Sequence, residues 1–99
     1  MTPFSPLSTF SPMLTLYYGE ECPHCHQMMP IVDKLIQEGT DIAKLETWHH
    51  DENAKQLEGV DKGRCGGVPF FHNDQNDQFL CGATSEERVR AWAAGEVLK

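Results

Sequence analysis

The chain has 99 residues, 39% hydrophobic and 23% charged, which is the composition of one small folded domain and leaves no room for a second. Fifteen acidic residues stand against eight basic ones, a formal net charge of −7, so phosphate backbones and anionic lipid are repelled and nucleic acid is excluded as a partner. No apolar run approaches the roughly 20 residues that span a bilayer, and the N-terminal stretch lacks the basic flank and apolar core of an export signal. The expectation is a cytoplasmic monomer without membrane contact.

Residues 1–12 carry three of the six prolines with Ser5, Ser8, Thr9 and Ser11 and no periodic pattern, which predicts an irregular extension before a domain over 13–99. Met13 to Tyr18 is a short apolar, β-branched and aromatic run stopped by Gly19, a first strand. From Cys22, apolar positions at Met28, Ile31, Val32, Leu35 and Ile36 recur every three or four residues, and Gly39 suits a C-cap. This is a helix that opens at the cysteines. Ala43 to Trp48 reads as a second strand, followed by a short helix capped by Asp51 or Asn53 and running through Leu57.

After the glycine-rich stretch from Gly59 to Gly67, Val68 to His72 and Gln78 to Cys81 read as two strands of a hairpin around the turn-forming residues 73–77. Thr84 and Glu87 have capping-box spacing, and Val89, Trp92, Ala93 and Val97 form the apolar stripe of a last helix. The order β-α-β-α-β-β-α predicts an α/β domain in which a parallel pair linked through a helix is joined to an antiparallel hairpin.

Cys22-Pro23-His24-Cys25 puts one thiol at a helix N-cap and the other one turn inside, a spacing that lets the sulfurs exchange a disulfide. Unsatisfied N–H groups and the positive end of the helix dipole favour a thiolate at Cys22, and Pro23 suits the first helical position because its missing N–H would have had no partner. Cys22 is therefore the attacking sulfur and Cys25 the resolving one. His24 adds a donor near Cys22, while Glu20 and Glu21 oppose the thiolate weakly, as solvated charges do.

Other readings of these residues exist. The CPHCH run with Cys65, Cys81 or nearby histidines could form a non-catalytic module for zinc, copper or an iron–sulfur cluster, and C-x-x-C-H also matches haem attachment. No second CxxC completes a metal pattern, so the redox reading is preferred, with no metal and no tightly bound cofactor. Cys65 and Cys81 read as small buried hydrophobes, although a bond between them is compatible with the sequence. His49 and His50, beside Asp51 and Glu52, read as a solvated loop without a role.

Tyr17 to Cys25 leading into His26 to Asp33, with Pro30 five residues after the second cysteine, resembles the active-site strand, turn and helix of the thioredoxin superfamily. Gly67-Val68-Pro69-Phe70-Phe71 resembles that family's cis-proline segment, and Gly82-Ala83-Thr84-Ser85 the glycine turn before its last helix. The resemblance covers about residues 13 to 98 and implies a glutaredoxin-size, three-layer sandwich around a four-stranded mixed sheet. It further implies Pro69 in cis beside the CxxC and the Val68 backbone pairing with a bound substrate chain, with Tyr18 and Gly82 flanking that groove. From the residues alone, Pro69 could equally begin a strand in trans.

Departures from the family are specific. Glu21 stands where thioredoxins keep a tryptophan, and Leu16 where they keep a buried acid. Glu20, Glu21 and the run Cys81 to Ser85 differ from the basic residue and the double glycine with acidic pair by which glutaredoxins hold glutathione. The Pro-His dipeptide resembles that of periplasmic disulfide-introducing oxidases, whose inserted helical domain has no space here. The implied activity is thiol–disulfide exchange with protein disulfides or glutathione mixed disulfides. The electron donor would be glutathione, acting as co-substrate, or a thioredoxin reductase.

Overall fold

The computed structural model describes residues 14–96. The expected extension, the start of the first strand at Met13 and the last stripe position, Val97, lie outside the described residues. Seven elements follow in the expected order: β1 (Leu14–Tyr18), α1 (Pro23–Gln37), β2 (Ile42–Glu46), α2 (Asp51–Asp61), β3 (Phe70–Asn73), β4 (Phe79–Cys81) and α3 (Glu86–Ala93). The four-stranded sheet has the order β2-β1-β3-β4, with β1 parallel to β2 and antiparallel to β3, and β3 antiparallel to β4. This is the mixed sheet of a thioredoxin-like fold of glutaredoxin size.

Alternation along β1 builds the layers. Leu14 and Leu16 point to one face, where they pack with Met28, Val32 and Leu35 of α1, Phe71 and Leu80 of the hairpin, and Val89 and Trp92 of α3. Trp92 is fully buried, with its ring edge-on to Phe71 at 5.3 Å. Tyr17 points the other way and lies 6.1 Å from Phe70, with its hydroxyl accepting a hydrogen bond from Gln56 of α2. Helices α1 and α3 thus cover one face of the sheet and α2 the other.

Element boundaries differ from the sequence expectation where a local bond decides them. Helix α2 is capped by neither Asp51 nor Asn53: His50 occupies the N-cap without a capping bond from its side chain, and Asn53 reaches back to the Glu46 carbonyl at 2.9 Å. It also runs past Leu57 to Asp61, whose buried carboxylate accepts the N–H groups of Cys65 and Gly66 at 2.7 and 2.9 Å. Those bonds satisfy the backbone of the loop that follows the helix. The cap of α3 is Ser85 rather than Thr84, accepting from the Arg88 N–H at 3.3 Å, while the Thr84 N–H meets the Met28 sulfur. Helix α1 ends with Glu38 as C-cap. Gly39 follows at φ 107°, and the Thr40 and Gly39 N–H groups close on the Leu35 and Ile36 carbonyls at 3.0 Å. Strand β2 stops at Glu46, and β3 begins only at Phe70 because Pro69 has no N–H to give the ladder.

Candidate active site

Strand β1 is the second of four, held on both sides, and its carboxyl end delivers the chain to a tight turn in which the Cys22 N–H donates to the Gly19 carbonyl at 3.0 Å. Cys22 then takes extended angles as the N-cap of α1 and Pro23 occupies the first helical position. The Cys22 sulfur does what a capping serine oxygen does elsewhere: it accepts the Cys25 N–H, at 3.2 Å. Both cysteines are free thiols, 4% and 1% exposed, whereas Pro23 and His24 face solvent.

Burial pushes the Cys25 thiol up to about 12, reinforced by its hydrogen bond and charge interaction with Cys22 and partly offset by the Gly19 backbone. Cys25 stays protonated through the neutral range. The two thiols are therefore unequal: one caps the helix and accepts the Cys25 N–H, and the other is kept neutral one turn deeper.

The second wall is the loop into β3. The Val68–Pro69 peptide bond is cis, and the Val68 carbonyl oxygen lies 4.0 Å from the Cys22 sulfur. Pro69 is buried and its carbonyl accepts the N–H of Gly82 at 2.8 Å. Gly82 adopts φ 76°, a left-handed angle that favours glycine at the exit of β4. Tyr18, half-buried, is tied through its carbonyl to Thr47, which donates both its N–H, at 2.7 Å, and its hydroxyl, at 3.1 Å. Of the residues singled out in the sequence, Cys22, Cys25, Val68, Pro69 and Gly82 thus form one connected strip. Pro23, His24 and Tyr18 flank it.

Glu46 is the residue whose importance the sequence conceals. At the end of β2, 7% exposed, its carboxylate accepts the N–H groups of Glu20 at 2.8 Å, Trp48 at 3.2 Å and His49 at 2.8 Å, and bonds His50 Nδ1 at 2.9 Å. Burial pushes the carboxyl up, but the bonds from His50 and the three backbone donors prevail and hold it near 2. An acid in a strand predicts nothing of the kind until the topology brings the β1–α1 turn beside it.

A carboxyl whose folded value lies below its ordinary 4.5 contributes stability that is present above that value and lost as pH falls toward 2. Glu46→Gln is expected to remove that part of the acid dependence and to destabilise the protein at neutral pH, both read from urea midpoints against pH. An unchanged acid limb in the variant would mean that other carboxylates set it.

The same loop carries His49, to which the sequence alone assigns no role. Its Nε2 lies 2.8 Å from both oxygens of Glu21, a contact that raises the imidazole above its usual value. His26 Nε2–H donates to the Glu20 carbonyl. Trp48 is 53% exposed and lies flat on Gly19, where an added Cβ would come within 2.3 Å of the indole. Glu20, Glu46 and His49 also bring one ligand atom each close together, but the Glu46 oxygens are engaged by the donors above, and neither cysteine of the CxxC belongs to that group.

Cys65 and Cys81 are not the buried hydrophobes expected: Cys65 is half-buried, Cys81 is exposed, and the two form a disulfide with Cα atoms 5.5 Å apart. Register explains the pairing. Cys81 stands opposite Phe70 on the α2 side of the sheet, the side from which the chain leaving α2 arrives with Cys65. Arg64 fixes that arrival, forking onto the Asp77 carboxylate at 3.1 Å while stacked 4.1 Å over the Phe79 ring.

No helix among the described residues is long and apolar enough to cross a membrane. No protein-family model matches the chain. No curated protein matches it in sequence. Among solved structures, it is similar to the glutaredoxin from Archaeoglobus fulgidus, with a TM-score of 0.59 and 23% identity over 80% of this chain and 83% of that one. At that identity the likeness is one of fold.

Proposed function

We propose that this chain is a thiol–disulfide oxidoreductase in which Cys22 attacks and Cys25 resolves. The observation that carries the reading is the inequality of two free thiols at one helix N-terminus: the Cys22 sulfur receives a helix N–H, while Cys25 is buried and held protonated. The glutaredoxin-like fold agrees with it.

The Cys22 thiolate attacks one sulfur of a substrate disulfide, forming a mixed disulfide and expelling the other sulfur as a thiolate that takes a proton from water. Two of the influences that raise Cys25, its hydrogen bond and its charge interaction with Cys22, end when Cys22 enters that bond. Cys25 then gives its proton to water, attacks the Cys22 sulfur and releases the second substrate thiolate, which takes a proton from water in turn. The substrate has gained two electrons and two protons, and the protein carries a Cys22–Cys25 disulfide. An external thiol pair, from glutathione or a thioredoxin reductase, returns it to the dithiol. Val68, beside the Cys22 sulfur, would pair with the substrate backbone. Tyr18 and Gly82 would border the same groove, and Pro23 and His24 would shape its helix side.

The test is a redox titration in glutathione buffers, with the state of residues 22 and 25 read by alkylation and mass spectrometry. A reversible two-electron transition that is absent in Cys22→Ser is expected. Thiols that alkylate only after a chelator is added would instead identify a metal site and remove the proposal.

A further inference from the structure

Three segments build the site: the β1–α1 turn and first half of α1, the loop after β2, and the chain from Cys65 through β4 to α3. None contains a permanent positive charge. No Lys or Arg occurs before Lys34, between Lys44 and Lys55, or between Arg64 and Arg88. Lys34 stands nine residues beyond Cys25, about 13 Å along the helix, and pairs with Glu86 at 3.3 Å. Arg64 and Lys62 are drawn to Asp77, at the hairpin turn. Lys55 follows Asp51 and Glu52 on the next turn of α2, so its charge is more than matched.

Negative charge, in contrast, lines the rim. Glu20 and Glu21 are exposed on the turn immediately before Cys22, and Asp51 and Glu52 are exposed at the start of α2. His49 and His50, the basic groups between them, are already paired with Glu21 and Glu46. Beside these carboxylates lies Trp48, the large hydrophobic side chain left exposed among the described residues, resting on the Gly19 backbone three residues before the nucleophile.

Glutathione carries two carboxylates and one ammonium, and each carboxylate needs a cation or free backbone donors for its recognition. Here the N–H groups of Glu20, Trp48 and His49 are consumed by Glu46. We infer that the substrate of the Cys22–Cys25 pair is a disulfide on a cationic polypeptide rather than glutathione disulfide, with an apolar side chain of that polypeptide on Trp48 and its basic side chains at Glu20 and Glu21. The inference rests on the redox reading above and narrows its substrate class. Exchange proceeds by the two displacements already written, with the polypeptide disulfide as oxidant.

The experiment uses two synthetic peptides alike in sequence except that lysines or glutamates flank one cysteine and its neighbouring leucine, each as a mixed disulfide with mercaptoethanol. Bis(2-hydroxyethyl) disulfide serves as a neutral substrate. At about 0.01 M salt, kcat/KM for the lysine peptide is expected to exceed that for the glutamate peptide by at least about tenfold. The two should converge at about 1 M salt, where the Debye length is about 3 Å. The double variant Glu20→Lys, Glu21→Lys should invert the order. Replacing the leucine by glycine should slow the native protein by about tenfold and leave Trp48→Ala nearly indifferent.

Equal rates for the two peptides at low salt, an order insensitive to the charge reversal, or an equal leucine effect with and without Trp48 would overturn the inference. Failure of the redox reading looks different: neither peptide nor the neutral disulfide would oxidise residues 22 and 25.

Discussion

Cys25→Ala is expected to stop the reaction halfway. Steady-state reduction of a protein disulfide should fall by at least about a thousandfold, because the mixed disulfide at Cys22 has no internal thiol to resolve it. The first displacement should survive, releasing one substrate thiolate per protein and leaving a covalent adduct visible by mass spectrometry. Cys22→Ser should lose both steps and form no adduct, since Cys25 is buried and protonated. Adduct formation at Cys25 in the Cys22→Ser protein would assign the roles the other way round. The asymmetry also predicts the pH dependence. Below about 12, each pH unit raises the Cys25 thiolate fraction about tenfold while Cys22 remains unbonded. Premature attack by the buried thiol is thereby suppressed until the first bond has formed.

The second large effect belongs to the other pair of cysteines. Reducing Cys65–Cys81, or replacing both residues by serine, opens a link of sequence separation 16. Closing a loop of that length stabilises the native state by about 3 kcal/mol through the unfolded chain. For a domain of this size the corresponding fall in Tm is on the order of 15 °C. Thermal melts of the double serine variant, with and without dithiothreitol, check it. In dithiothreitol, where residues 22 and 25 are reduced in both proteins, the native protein should drop to meet the variant. A shift below about 3 °C would mean that the Asp61 bonds and the Arg64 fork already hold the loop. The link spans the chain entering Val68 and the strand leaving through Gly82, so its opening should also slow exchange with polypeptides more than with small disulfides.

Much of the fold could be read from the residues, because local patterns coincide with tertiary demands. The alternation at Leu14, Leu16 and Tyr17 assigns two faces of one strand, and the stripe Met28, Val32, Leu35 assigns the buried side of α1. The Cys-Pro at a helix start was equally legible, since proline at the first helical position and a capping side chain before it are local features. What escaped was decided by contacts distant in sequence. Glu46 is one acid among fifteen, and only the parallel pairing of β1 with β2 brings the Glu20 N–H to it from 26 residues away. The Cys65–Cys81 bond depends on which face of β4 carries residue 81, a matter of register. The expected caps, Thr84 against Ser85 and Asp51 or Asn53 against His50, miss by one to three residues, because helix ends are set by individual hydrogen bonds.

Glu46 holds its three neighbours by their main chain alone: the bonds run to the N–H groups of residues 20, 48 and 49 and leave their side chains unclaimed by it. The path of the backbone around the nucleophile is thus specified from within, while the lettering on its outer face is open to revision. Charge and shape at positions 20, 21 and 48 could be rewritten, toward anionic or neutral partners, with the sulfur geometry kept as it is. In this architecture the apparatus of exchange and the apparatus of partner choice are separable, and one buried carboxylate is the seam between them.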